Sequence, residues 1–192
     1  MEKLIGLKKI KTAVFISGTG SNLKNLIKFS KLKKTPITIN LVISNTYKAK
    51  GLQYANQFNI KKKRFDFKNI KSTENKILKL LKKEKISFIC LAGFMKILSK
   101  DFIEKFDGKI INIHPSLLPK YKGINTHQRV LANKDKFTGC TVHYVSAKLD
   151  SGRIIMKKKV KVAIKDNIIS LAKKVLKLEH KLYPAAILKI FN

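Results

Sequence analysis

The sequence predicts an α/β domain with a mainly parallel, twisted sheet and helices on both of its faces. Short apolar runs rich in β-branched residues alternate with amphipathic helical stretches from end to end. The gaps between runs leave room for the helical crossovers that parallel strands require. A glycine-bearing turn, FISGTGSNL, joins the first run to the first helical stretch. The 192 residues suit one domain, 1–192, with 1–10 as a loose N-terminal segment.

Lys11–Ser17 (KTAVFIS) reads as a buried strand, and Ser21–Lys31 follows as a helix with Leu23, Leu26 and Ile27 on one face. Ile37–Ile43 is the second strand, Lys48–Phe58 a helix and Lys62–Phe67 a short strand. Thr73–Lys85 is an amphipathic helix whose apolar stripe is Ile77, Leu78, Leu80 and Leu81. Ile86–Ala92 (ISFICLA) and Lys109–Ile113 are further strands, Gly139–Val145 and Ile154–Val162 later ones. Asp166–Leu188 closes the pattern with a long helix. Such sheets bind ligands at the carboxyl ends of their strands, which is where the polar motifs fall.

Composition narrows the class. Hydrophobic residues make up 44%, too many for a disordered chain. No apolar run approaches the ~20 residues that cross a bilayer, so no membrane partner is expected. The start, MEKLIGLKKIKTAVFIS, is basic and then apolar but lacks a small-residue cleavage site, so it does not read as a signal peptide. Cys90 and Cys140 are too few for a disulfide scaffold and are not spaced as a zinc site, which points to a reducing cytoplasm. The net charge of +32 would attract polyanions. Yet only Arg64, Arg129 and Arg153 among the 43 basic residues are Arg, and the lysines are scattered without interleaved aromatics. A compositional preference for lysine, leaving a self-repelling surface and no specific nucleic-acid partner, explains this. Help for anionic substrates is open under either reading.

Two motifs carry chemistry. In FISGTGSNL, Gly18 and Gly20 permit a tight turn, while Ser21 and Asn22 open a helix whose free amides and dipole favour an anion. The third glycine of a dinucleotide fingerprint is replaced by Leu23, so a single phosphate fits better; the bland alternative is a turn with Ser21 as N-cap. In KIINIHPSLLP, Asn112 and His114 project from the same side of a strand that Pro115 ends. A neutral amide and an imidazole there would stabilise an oxyanion forming on a carbonyl carbon. Asp150, in KLDSG, is the best-placed carboxylate to orient and charge the imidazole. The alternative is that His114 only caps a strand end.

GTGSNL, LAGFMKILS, NIHPSLLPKYKG, GCTVHYV and LDSG, in this order and over nearly the whole chain, resemble the glycinamide ribonucleotide formyltransferases of the folate-dependent formyltransferase family. The resemblance implies a Rossmann-like formyltransferase fold. It also implies that the amine of glycinamide ribonucleotide attacks the formyl carbon of 10-formyltetrahydrofolate through a tetrahedral oxyanion, in de novo purine biosynthesis, without metal. Asn112, His114 and Asp150 match the family's catalytic trio. Gly20, Ser21 and Asn22 match its phosphate turn, with Gly18 and Thr19 before them expected to bind substrate as well, and Glu179 matches a carboxylate that contacts the ribose. Met95, Lys96, Ile97 and Leu98 match the segment beside the folate, and Ser146 to Asp150, Leu149 included, the opposing loop; His143 matches a further family position. Lys96 stands where Arg is usual, and Leu176 replaces a polar substrate contact. Ser151 and Arg153 replace Gly and Pro. Lys71, or else Lys68, stands in for an Arg that holds the folate tail.

Three other functions fit parts of the pattern. A methionyl-tRNA formyltransferase shares the Asn–His–Asp logic but usually adds an RNA-binding domain. A formyltetrahydrofolate hydrolase usually carries an extra regulatory domain. A non-catalytic polyanion-binding module would bind nucleic acid tightly with a steep salt dependence. The sequence leaves monomer and homodimer both open.

Overall fold

Seven strands form one sheet in the order β3-β2-β1-β4-β5-β6-β7 in the computed structural model, which describes residues 9–191. Residues 1–8 of the segment expected to be loose lie outside the described residues. In chain order the strands are β1 (Ile10–Ile16), β2 (Ile37–Ser44), β3 (Lys61–Arg64), β4 (Phe88–Leu91), β5 (Lys109–His114), β6 (Phe137–Tyr144) and β7 (Ile154–Lys161). β1 to β5 are mutually parallel. β6 runs antiparallel to β5, and β7 antiparallel to β6. The sheet is therefore mainly parallel, as the sequence predicts.

Alternation along the central strand explains the layers. Val14 and Ile16 of β1 face one apolar cluster and Ala13 and Phe15 the other, all fully buried. Helices α1 (Ser21–Ser30), α2 (Leu52–Gln57) and α6 (Ile168–Phe191) cover the first face through Leu23, Leu26, Ala55, Val175 and Tyr183. α3 (Ile70–Lys83) and α4 (Lys100–Lys105) cover the second through Ile77, Leu81 and Phe102. A short α5 (Thr126–Ala132) lies against α6. The sequence did not signal α4 and α5: at six and seven residues they are too short to show a helical period.

α1 opens differently from the Ser21 N-cap weighed above. Gly20 is the capping residue, at φ 76°, and no side chain caps the helix. A left-handed backbone and a close neighbour both select glycine there, since a Cβ would collide with Gly51 Cα.

α6 is tied into the sheet by polar contacts. Its internal Pro184 has no N–H for the carbonyl one turn back. That carbonyl, of His180, accepts instead from Asn25 Nδ2 on α1 at 2.7 Å. One residue before the proline, the buried Tyr183 hydroxyl donates to Leu91 O at 2.9 Å and Ile111 O at 3.3 Å, bridging β4 and β5.

Candidate active site

Strand order reverses direction beside β1: β2 and β3 build outward on one side, β4 and β5 on the other. Loops leaving β1 and β4 must therefore diverge and leave a crevice. Backbone and side chain of Ser17 hold its two lips together. Ser17 N donates to Gly93 O at 3.1 Å, and Met95 N donates to Ser17 Oγ at 2.8 Å. Behind them the buried Glu74 carboxylate accepts from Ser99 N at 2.8 Å and from the Ser99 hydroxyl, which fixes the far end of the segment Phe94–Leu98. The crevice is a cleft of about 710 Å³.

Apolar side chains of Met95, Ile97, Leu98 and Leu149 line it, joined by Phe94 and Ile124. A few polar groups converge among them, the pattern of a small-molecule site. Asn112 and His114 reach the cleft from β5, which extends one residue beyond the expected strand, to His114. His143 comes from the facing register of β6, and Asp150 from the loop after it. The His114 and Asp150 side chains are 6% and 7% exposed, so their pairing is nearly dry.

Hydrogen-bond chemistry fixes the arrangement. Tyr121 O can only accept, so His114 Nε2, 2.8 Å away, carries a hydrogen. His114 Nδ1 lies 3.3 Å from Asp150 Oδ2, which also accepts from Gly123 N at 2.8 Å. His143 Nδ1 donates to Tyr144 O at 2.9 Å, and in its neutral form this leaves Nε2 to accept from Asn112 Nδ2 at 3.3 Å. The other Asn112 contact, Nδ2 to Asp150 Oδ1, is 3.5 Å. Both are long for hydrogen bonds, so the amide remains available to a better acceptor.

Burial pushes the His114 imidazolium below its ordinary value, and the Tyr121 carbonyl and Asp150 oppose this without overcoming it. Both ring nitrogens face oxygen acceptors, Tyr121 O and Asp150 Oδ2, an arrangement the imidazolium satisfies, so burial and hydrogen bonding pull the charge of His114 in opposite directions. Burial also pushes the Asp150 carboxyl up, but the His143 ring, the Gly123 amide and the His114 ring outweigh it and leave Asp150 below its usual value.

At the other end of the cleft, Asn22 Nδ2 donates to Glu179 Oε2 at 2.6 Å. Burial pushes Glu179 up to about 7, with the Asn22 bond opposing. Asn22 Oδ1 is buried without a partner among the described residues, a group awaiting a donor.

The structure thus gathers Asn22, Met95, Lys96, Ile97, Leu98, Asn112, His114, His143, Ser146, Leu149, Asp150 and Glu179 around one cleft. Gly18, Thr19, Gly20 and Ser21 do not line it; they form the turn leading to Asn22. Leu176 is half-buried on α6 outside the lining. Lys71 is exposed away from the cleft, because the buried face of α3 is Thr73, Glu74, Ile77 and Leu81. Arg153, where the resemblance puts proline, lies over the Tyr144 ring at 5.0 Å. Tyr121 O and Gly123 N escaped the sequence reading because backbone atoms carry no residue-type signature; only the PKYKG turn hinted at them. Among the described residues no helix is long and apolar enough to cross a membrane.

A family model described as formyl transferase matches residues 10–187. The chain belongs to the formyl transferase family. Within this family it is 40% identical over 184 residues to the phosphoribosylglycinamide formyltransferase of Haemophilus influenzae, covering 94% of this chain and 86% of that protein. It is 42% identical to the trifunctional purine biosynthetic protein adenosine-3 of Gallus gallus, covering 95% of this chain but only 18% of that protein. The fold matches the crystal structure of a formyl transferase relative, the phosphoribosylglycinamide formyltransferase from Brucella melitensis. That match has a TM-score of 0.90 at 42% identity and covers 96% of each chain.

Proposed function

We propose that this chain transfers a formyl group from 10-formyltetrahydrofolate to the amine of glycinamide ribonucleotide, as a step of de novo purine biosynthesis. The observation that carries it is the dry constellation of Asn112, His114 and Asp150 beside an apolar slot, in a chain of the formyl transferase family. The apolar wall from Met95 to Leu98 suits a flat heteroaromatic donor, and the backbone of that segment can read its polar edge. The turn Gly18–Asn22, where α1 begins without a side-chain cap, suits the phosphate of the acceptor. Asn22 and Glu179 suit its ribose, a neutral polyol that can satisfy Asn22 Oδ1.

The residues divide the chemistry. Asn112 Nδ2 gives the direct hydrogen bond to the oxyanion as the amine adds to the formyl carbon. His114, paired with Asp150, stabilises the oxyanion through its positive charge, and the negative charge developing beside it offsets the burial that disfavours the imidazolium. Asp150, held ionised, fixes His114 and collects the proton the amine must lose, directly or through water. Collapse of the adduct breaks the bond from the formyl carbon to the folate nitrogen, which takes up that proton, and releases tetrahydrofolate and the formylated amine. This route needs neither metal nor a covalent enzyme intermediate. The domain works in the cytoplasm and takes small-molecule substrates, with no specific nucleic-acid partner.

A formyl-transfer assay offering both glycinamide ribonucleotide and charged initiator tRNA tests this. Transfer to the ribonucleotide alone is expected. His114→Ala and Asp150→Asn should each lower turnover by roughly 10²–10⁴-fold with the fold intact. Near-normal rates in both variants would refute the assigned roles, and transfer to tRNA would refute the acceptor.

A further inference from the structure

One short piece of backbone holds two groups of the constellation. Tyr121 O takes His114 Nε2, and Gly123 N reaches Asp150 Oδ2, each at 2.8 Å. Between them, Lys122 O accepts from Arg129 Nη1 on α5 at 2.7 Å. Tyr121 adopts a left-handed backbone, φ 57°, which a bulky residue does not choose by itself, so its surroundings must hold it there. Its ring is the handle. The hydroxyl donates to Asp135 Oδ2 and accepts from Asn133 Nδ2, both at 2.9 Å, and the Arg129 guanidinium lies over the ring face at 5.1 Å.

The choice of arginine at this place is informative. Of the 43 basic residues only three are Arg, and each lies over a tyrosine ring: Arg64 over Tyr47 at 3.6 Å, Arg129 over Tyr121, and Arg153 over Tyr144 at 5.0 Å. Lysines also lie over rings, Lys24 over Tyr54 at 5.0 Å among them, so a ring face alone does not select arginine. At position 129 the planar guanidinium covers the ring with its face and donates from its edge to a carbonyl, a fixed fork that a point-like ammonium does not offer.

We propose that Arg129 is a positioning residue for formyl transfer: by stacking on Tyr121 and binding the Lys122 carbonyl, it fixes the 121–123 backbone that orients His114 and Asp150. The word "formyl" rests on the function proposed above; the positioning of His114 does not. Arg129 is exposed and touches no apolar cluster, so its loss should spare the fold.

The full-length protein is compared with Arg129→Met, Arg129→Lys, Tyr121→Leu and the double variant Arg129→Met/Tyr121→Leu. ¹⁵N spectra of the His114 imidazole in the ligand-free protein are recorded across pH, with Asp150, His143, His127 and Arg129 as the charged groups acting on it. In the parent the imidazole should give one set of nitrogen shifts, fixed by Tyr121 O at Nε2 and Asp150 at Nδ1. In Arg129→Met the two tautomers should mix, with Arg129→Lys between. Turnover should fall about tenfold in Arg129→Met, as for a misaimed catalytic group, while KM changes less than about twofold. The double variant should be no worse than Tyr121→Leu alone. A parental imidazole spectrum in Arg129→Met, or additive losses in the double variant, would overturn the proposal. If the parent transfers no formyl group, the proposed function fails, and the imidazole spectra still decide the role of Arg129.

Discussion

At Glu179 a carboxylate is buried against an amide rather than a cation, and this has a thermodynamic signature. Its value is raised to about 7, so the folded chain holds that proton where the unfolded chain has released it. The stability it contributes is complete below the ordinary carboxylate range. It is lost as pH rises from about 4.5 through about 7. Glu179→Gln keeps the acceptor for Asn22 Nδ2 and removes the ionisation. Denaturant unfolding at pH 8 should find the variant more stable by roughly 3 kcal/mol, with the gap shrinking to about 1 kcal/mol at pH 5 and closing by about pH 4. A gap that does not vary with pH would mean that Glu179 does not titrate in this range. Single residues were legible in the sequence when they broke a pattern. Asn112 and His114 stand out because polar groups interrupt an apolar strand, and Asp150 because carboxylates are scarce. That Lys71 stands outside the cleft lining was not legible, because its position on α3 depends on which face of that helix packs inward.

Among the elements, the passage from β1 into α1 is the most constrained. Gly20 combines a left-handed backbone with contact against Gly51, whereas Gly18 has nothing within 4 Å of where a side chain would begin. Gly20→Ala should cost roughly 2–4 kcal/mol through strain and overpacking, and should weaken binding of a phosphate-bearing substrate. Gly18→Ala should stay within about 0.5 kcal/mol of the parent. Equal thermal shifts in the two variants would show that the Gly20–Gly51 approach is not what selects glycine. Strands and long helices were legible because period and length reinforce each other, as in β1, α3 and α6. α4 was not, although Ser99 accepts from Phe102 N and Asp101 follows in the first turn, both start signals of a helix. The antiparallel turn-back of β6 was not legible either: strand periodicity looks the same in both directions.

The whole molecule carries +32 charges, and among the described residues salt bridges occupy only a few of them. Self-repulsion should make stability rise with salt. Between roughly 0.02 M and 0.5 M NaCl the Debye length falls from about 20 Å to about 4 Å, and melting should shift upward by several degrees. A flat or falling melting temperature would mean that the lysines are already neutralised by specific neighbours. Both edge strands carry part of this charge, KKKR in β3 and Lys157, Lys158, Lys159 and Lys161 in β7, which discourages strand-to-strand addition by another copy. The proline-freed carbonyl of His180 has a temporal consequence. Asn22 and Asn25 leave the ribosome early and must wait for partners more than 150 positions later, at separations of 157 and 155 residues. Until α6 emerges and finds its seat, the nascent chain owns half a pocket, so competence for binding should arrive late in synthesis and all at once.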